Sequence, residues 1–441
     1  MATPEALVKY YDCLRDSFNK IQDKDNEVAL INAALRPKIR EELAKSDDLL
    51  ISYLNYIQVF CLIYSEKFNN VCSSVICPLL KEHNISQSDE ETVKPVTATR
   101  LHQAIQHIIT SKPSLAEEFA YCVVKVFPSF ERAETGEFYT YLENSLQMCS
   151  YMEGEAMCTV LGKILERINP PQSTAEDELE KMNEINVNKS YDILYDYFKK
   201  LNPVARLKVV NSLLVIVARD LLRDMSANMC HLIIYVCSLN PKYAESLMSL
   251  LWDNFTDVSK PIDERRASVE FASFFLARAK YMTLEDLMNY LETSSNWCHE
   301  FLEDHSNIDI PHGTNQRIEG FYAVAQSIFY LITQRYREMY EDETIISLNK
   351  MRLDKIIGNR LRPLEHCDKN VEERLKEVDT LYKLFNIPEV DLLPVKKRRM
   401  STEQNRSRFR FFSLRDTDSP SKVRPLYRSF YEPKNFTIYR E

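Results

Sequence analysis

Apolar side chains recur every three or four positions through most of the chain, beginning with Ala6, Tyr10, Leu14 and Phe18. That spacing lines one face of an α-helix. Thr3-Pro4-Glu5 has the grammar of a helix start, with proline at the first helical position. A second segment over 29–43 is expected to break near Pro37, and Ser46-Asp47-Asp48 caps a third. Thr97 is placed as the cap of LHQAIQHIITS, and Pro113-Ser114 opens the following helix. Further helices are predicted from about 134, then over 154–168, 191–200, 205–222, 227–238, 241–255, 317–340, 345–360 and 371–385. No segment shows convincing strand alternation.

The stretch 269–291, VEFASFFLARAKYMTLEDLMNYL, is the densest in structural signal. From Val269 to Ala279 nearly every position is apolar or small, so this helix should bury most of its circumference. Arg278 and Lys280 fall where positive charge opposes the negative end of the helix dipole. Thr283, with Asp286 three residues on, predicts an N-cap and an immediate second helix.

A run of helices approaching 400 residues exceeds what one core usually holds, roughly 250–300. The fold class expected is therefore all-α, a HEAT-like helical repeat solenoid over residues 1–394 with polar loops near 83–96 and 172–184. Residues 395–441 are expected to be a disordered basic tail: from Val395 onward 13 Lys or Arg face 5 Asp or Glu, within a chain of net charge −9.

Composition narrows the chemistry. Only six glycines occur, and none falls into a nucleotide-binding spacing, which argues against a nucleotide enzyme. The eleven cysteines include no CxxC pair and no structural zinc spacing, so they read as buried small hydrophobes, reduced in an intracellular protein. His102 and His107 are poorly aligned on one helix face and read as surface or capping residues. Cys298 with His299, His305 and His312 raises a nucleophilic cysteine as a rival reading, but no oxyanion element accompanies it. No catalytic residue, metal site or cofactor is expected. The longest apolar runs fall far short of the roughly 20 residues of a membrane span, so no membrane is expected among the partners.

The tail carries Lys396, Lys397, Arg398 and Arg399 in one run, the composition of a nuclear import signal or a nucleic-acid contact. Arg406, Arg408 and Arg410 interleave with Phe409, Phe411 and Phe412, a pattern that also suits weak contact with DNA or RNA. Ser401, Ser413 and Ser419 lie in settings favoured by kinases and are the phosphorylation candidates.

Several blocks, in order, resemble the RNA polymerase I-specific transcription initiation factor family. They are Leu251-Trp252, the run SFFLARAKY over 273–281, Trp297, Gly320-Phe321-Tyr322 through Ser327-Ile328-Phe329-Tyr330, and Leu361-Arg362-Pro363-Leu364. Upstream, VVKVFP ending at Pro128 and the acidic stretch before Tyr191 are similar to the family's pattern. The family's C-terminal FPFDPY-like block is not evident, and Pro425-Leu426-Tyr427-Arg428-Ser429 is what remains in its place.

The resemblance implies a HEAT-repeat fold without enzymatic activity, acting in the nucleus and nucleolus. It also implies binding of the RNA polymerase I stalk and dock surface through a serine-bearing face, and contact with promoter-bound core factor. Ser111 and Ser114 are the polymerase-binding candidates, with helix capping as the alternative role. Arg278 and Lys280 are the candidates for the second partner. Homodimerisation of the free protein stays open, and a generic helical-repeat scaffold or transport-type binding protein is the alternative function.

Overall fold

The computed structural model describes residues 3–18, 24–36, 39–43, 46–81, 96–130, 136–169, 177–222, 225–305, 316–339, 342–382, 420 and 422–428. The basic run 396–399, Ser401, Ser413, Ser419 and His312 lie outside them. Among the described residues the regular structure is helical, and the one extended pairing is an isolated antiparallel bridge between Ala279 and Tyr427. No single described helix is long and apolar enough to cross a membrane. The chain forms two compact units, residues 1–216 and 217–441.

The first unit holds α1 (Pro4–Ser17), α2 (Lys24–Ala34), α3 (Ile39–Leu43), α4 (Asp47–Ile63), α5 (Phe68–Val71) and α6 (Cys77–Lys81). It continues with α7 (Val96–Ser111), α8 (Leu115–Lys125), α9 (Glu137–Cys149), α10 (Gly154–Ile168), α11 (Asp177–Lys200) and α12 (Pro203–Ile216). Thr3 and Ser46 accept backbone N–H groups at the starts of α1 and α4, as their sequence context predicts. Helix α4 packs on α1 and α7, and α10 on α8, α9 and α12, so each layer is built from helices close in sequence. Tyr11, Tyr53 and Tyr56 fill the first core and donate their hydroxyls to the carbonyls of Ala33, Ala34 and Leu30. Buried rings with satisfied hydroxyls give both packing area and a fixed register.

Three expectations change here. Helix α7 starts at Val96, so Thr97 lies inside the first turn instead of capping it. The acidic residues from Asp177 belong to helix α11, which runs unbroken to Lys200, so the loop expected over 172–184 is helical in its second half. Acidic side chains favour a helix N-terminus, and that preference outweighs the polarity that reads as loop. His102 is buried, not superficial: its ring bonds the Tyr151 hydroxyl at 2.8 Å and Asn144 Oδ1 at 3.1 Å, while Asn144 donates to the Leu80 carbonyl.

The second unit opens with a π-helical turn, Val217–Leu221. It then holds α13 (Ala227–Ser238), α14 (Pro241–Thr256), α15 (Ile262–Arg278), α16 (Leu284–Asp304), α17 (Gln316–Arg335), α18 (Asp342–Lys350), α19 (Leu353–Ile357) and α20 (Lys369–Tyr382). Helix α15 is the centre: it packs between α14 and α17, and every residue from Ala267 to Arg278 is buried. The apolar run from Val269 dictates this placement, since such a helix has no face to give to water. Thr283 and Asp286 form the capping box that starts α16: Thr283 N–H donates to Asp286 Oδ2 at 2.8 Å, and Asp286 N–H to Thr283 Oγ1 at 3.1 Å. The helix expected over 345–360 is broken instead at Arg352, whose φ of 50° places it in the left-handed region.

Candidate functional site

Two places in the molecule, one in each unit, collect the side chains singled out by the sequence. The first is the corner between α7 and α8. Ser111 ends α7, Ser114 sits just before α8, and both are exposed. Ser114 has φ −60° and ψ −20° and makes no side-chain cap bond, so the capping role open to it is not taken up. Between them Lys112 reaches back to donate to Ser65 Oγ at 2.7 Å, which anchors the corner. The outward face of α8 continues with Glu117, Glu118 and Tyr121, the last 63% exposed.

The second place is the C-terminal end of α15. Arg278 is its last residue and is 2% exposed; its guanidinium carbon lies 5.5 Å from the centre of the Tyr427 ring. Burial holds the Arg278 guanidinium below the usual arginine value. Tyr427 packs edge-on against His231, ring centres 5.2 Å apart. Lys280 lies beyond the helix and is exposed. Thus Arg278 faces the chain's own residue 427, and only Lys280 of the two partner candidates presents its side chain to solvent. The helix-end reading of Arg278 misses this burial because the covering segment lies far away in sequence.

A helix end leaves its last carbonyls without intrahelical partners. Here the Arg335 guanidinium supplies one of them, that of Leu276, and with the Arg428 guanidinium it also serves carbonyls of the turn beyond the helix. Arg335, at the end of α17 and 1% exposed, donates to the carbonyls of Leu276, Met282 and Thr283 at 3.3–3.4 Å and pairs with Glu338 at 2.6 Å. Arg428 donates to the carbonyls of Lys280 (3.2 Å) and Met282 (2.9 Å) and pairs with the other oxygen of Glu338. Burial lowers the Arg428 pKa, its neighbour Arg335 lowers it further, and Glu338 opposes both. Sequence reading missed Arg335, Glu338 and Arg428. The one available signal was the order of the Pro425-Leu426-Tyr427-Arg428 remnant after the SFFLARAKY run, which the fold brings together.

The rival reading at Cys298 finds no support in the geometry. Its side chain is fully buried and burial raises the thiol pKa well above its ordinary value, so no thiolate is available. His299 Nε2 meets the carbonyl of Met351 at 2.8 Å, and His305 Nδ1 that of Phe301 at 2.8 Å. Eight of the eleven cysteines are buried, and Cys13 alone is exposed. Among the described residues no cluster of His, Cys, Asp or Glu could hold a metal ion.

The described residues form an all-helical scaffold in two units. The chain matches the family described as RNA polymerase I specific transcription initiation factor RRN3 over residues 1–192 and 172–427, and it belongs to that family. It is 23% identical to the RNA polymerase I-specific transcription initiation factor RRN3 of Mus musculus, covering 80% of this chain and 63% of that protein. It thus spans less than two thirds of the mouse relative's length. The Schizosaccharomyces pombe factor rrn3 is 24% identical over 38% of this chain and 29% of its own. The crystal structure of RNA polymerase I transcription initiation factor Rrn3 superposes with a TM-score of 0.67 at 15% identity, covering 97% of this chain and 90% of that one, which establishes a shared fold.

Proposed function

We infer that this protein is a non-enzymatic adaptor in RNA polymerase I initiation. It binds the polymerase and bridges it to core factor at ribosomal RNA gene promoters, under the control of phosphorylation. The observation that carries the reading is the family match, which runs in order through nearly all of the chain up to residue 427. Helical repeats suit this role because they offer long faces on which many modest contacts add up.

Ser111 and Ser114 are assigned to the polymerase side, toward its stalk and dock surface. Both are exposed, and Glu117 and Glu118 stand one turn from Ser114. A phosphate adds about −1.5 to −2 charges, so modification would make this corner strongly negative and repel an acidic partner surface. Lys280 is assigned to the core-factor side. The run 396–399 would direct the protein to the nucleus, with the nucleolus as its place of work.

Affinity purification of the full chain from nuclear extract, read by mass spectrometry, tests the assignment. RNA polymerase I subunits should co-purify, and depletion of the protein should lower precursor ribosomal RNA synthesis. Recovery of transport receptors without polymerase subunits would instead mark a generic scaffold and end this reading.

A further inference from the structure

Beyond Arg278 the backbone of α15 straightens: Ala279 has φ −71° and ψ 110°, an extended conformation. An extended residue after a helix turns one carbonyl and one N–H outward as a short strand edge, and such an edge demands partners. Residues 422–428 provide them. Lys280 N–H donates to the Leu426 carbonyl at 2.8 Å, and Arg428 N–H to the Arg278 carbonyl at 2.8 Å. Side chains anchor the same segment at intervals: Val423 is fully buried, Tyr427 is buried against His231 and Arg278, and Arg428 reaches Glu338. Lys422, Arg424 and Pro425 point to solvent.

This is the geometry of a peptide added to an exposed strand edge, where main-chain bonds give affinity and pockets for separated side chains give specificity. The peptide here is the chain's own. Its hold is small beside that of the helices: two buried apolar anchors, against the twelve consecutive buried residues of α15. Elements with few buried contacts open locally, well below the free energy of global unfolding.

We propose that residues 422–428 are an exchangeable strap, and that the notch formed by Arg278–Lys280, His231 and Glu338 is a binding site for an extended peptide with an aliphatic residue, a tyrosine four positions later and an arginine immediately after. In the closed state the strap fills it in cis, as part of the same chain, so a competing segment must displace an intramolecular partner. In the open state a second segment of the same chemistry enters, and Arg278 is uncovered for it. The site does not depend on which machinery the protein serves.

The test uses the full chain and a labelled peptide of sequence KVRPLYR. In the unmodified protein, the Lys280 and Arg428 amides should exchange with solvent at least about 100-fold faster than amides in the middle of α17. The double variant Tyr427→Ala/Arg428→Ala should keep its helical content and bind the peptide at least tenfold more tightly than the unmodified protein does. Replacing the peptide's tyrosine by alanine should abolish that binding. Exchange of the two amides only with the core, collapse of the variant's helical content, or equal peptide binding by both proteins would each overturn the proposal, because the strap would then be a fixed part of the core or the notch no site at all.

Discussion

Arg335 and Arg428 donate to opposite oxygens of one carboxylate, that of Glu338. Arg335 also bonds the Leu276 carbonyl in the last turn of α15, and both guanidinium groups bond Met282 in the turn that follows, so Glu338 joins a buried helix end to the strap. Arg335 is buried while the Glu338 side chain is 38% exposed, so solvent screens part of the pair. Glu338→Ala should therefore destabilise the protein by about 1–2 kcal/mol, less than the roughly 3–5 expected for breaking a fully buried pair. Arg335→Ala should cost more, because it also removes three hydrogen bonds to carbonyls, although Met282 keeps Arg428 as a donor and Thr283 keeps the Leu287 N–H. Urea denaturation of the two variants beside the parent checks the order.

His102 gives the stability a pH dependence. Its burial lowers the ring's pKa, while its bond to Asn144 raises it by less. The neutral form is thus favoured in the folded state, and the unfolded chain binds the proton more readily. Its contribution is complete above the unfolded value of about 6.5 and declines as pH falls through the window below it, toward the lower folded value. The slope from this one group is at most about 1.4 kcal/mol per pH unit. Denaturation between pH 7 and 5 should show the decline, and His102→Gln should flatten it.

The serine corner separates contact from folding. Since Ser114 makes no cap bond, Ser114→Ala should change stability by no more than about 0.5 kcal/mol. Ser46→Ala and Thr283→Ala, which remove caps that are made, should each cost about 1 kcal/mol. Ser111→Asp/Ser114→Asp should leave the melting temperature in place and reduce polymerase I capture about tenfold. Unchanged capture would remove these residues from the proposed interface.

Cys298 provides a check on the absence of thiol chemistry there. With its side chain fully buried and its pKa raised by burial, it should resist iodoacetamide until the protein unfolds, while exposed Cys13 reacts first. Cys298→Ala should leave the capture of partners unchanged. Mass spectrometry of the alkylated peptides orders the two sites directly.

How much of this was legible in the sequence follows from the range of each signal. Local grammar was readable: Thr3, Ser46 and the Thr283–Asp286 box cap helices as their spacing requires, and the run from Val269 is buried as its composition dictates. The burial of Arg278 was not readable, because the Tyr427 ring and the Arg428 backbone N–H reach it from another part of the chain. His102 was misjudged for the same reason, its partners Asn144 and Tyr151 lying on later elements. Periodicity reports which face of a helix is apolar, and says nothing about which distant polar group will satisfy a buried one.

The break between α18 and α19 was likewise invisible to periodicity, and it leaves a measurable strain. Arg352 adopts φ 50° and ψ 45°, where the β-carbon of an L-residue crowds the following carbonyl at a cost of about 1–2 kcal/mol. Its exposed side chain makes one contact in return, a 3.4 Å pairing with Asp354, worth at most about 1 kcal/mol at such a surface position. Glycine removes the crowding but gives more freedom to the unfolded chain, a penalty of roughly 0.5–1 kcal/mol. The strain exceeds the remaining terms by a small margin, so Arg352→Gly should be neutral or stabilising by up to about 1 kcal/mol. By contrast Leu353→Gly, next in sequence and buried within the helix, should destabilise by about 3 kcal/mol or more through lost packing and lost helix propensity. Thermal denaturation of the pair distinguishes a strained junction from an ordinary helix residue, and a destabilisation of more than about 1 kcal/mol by Arg352→Gly would mean that the turn is held by the arginine side chain rather than tolerated despite it.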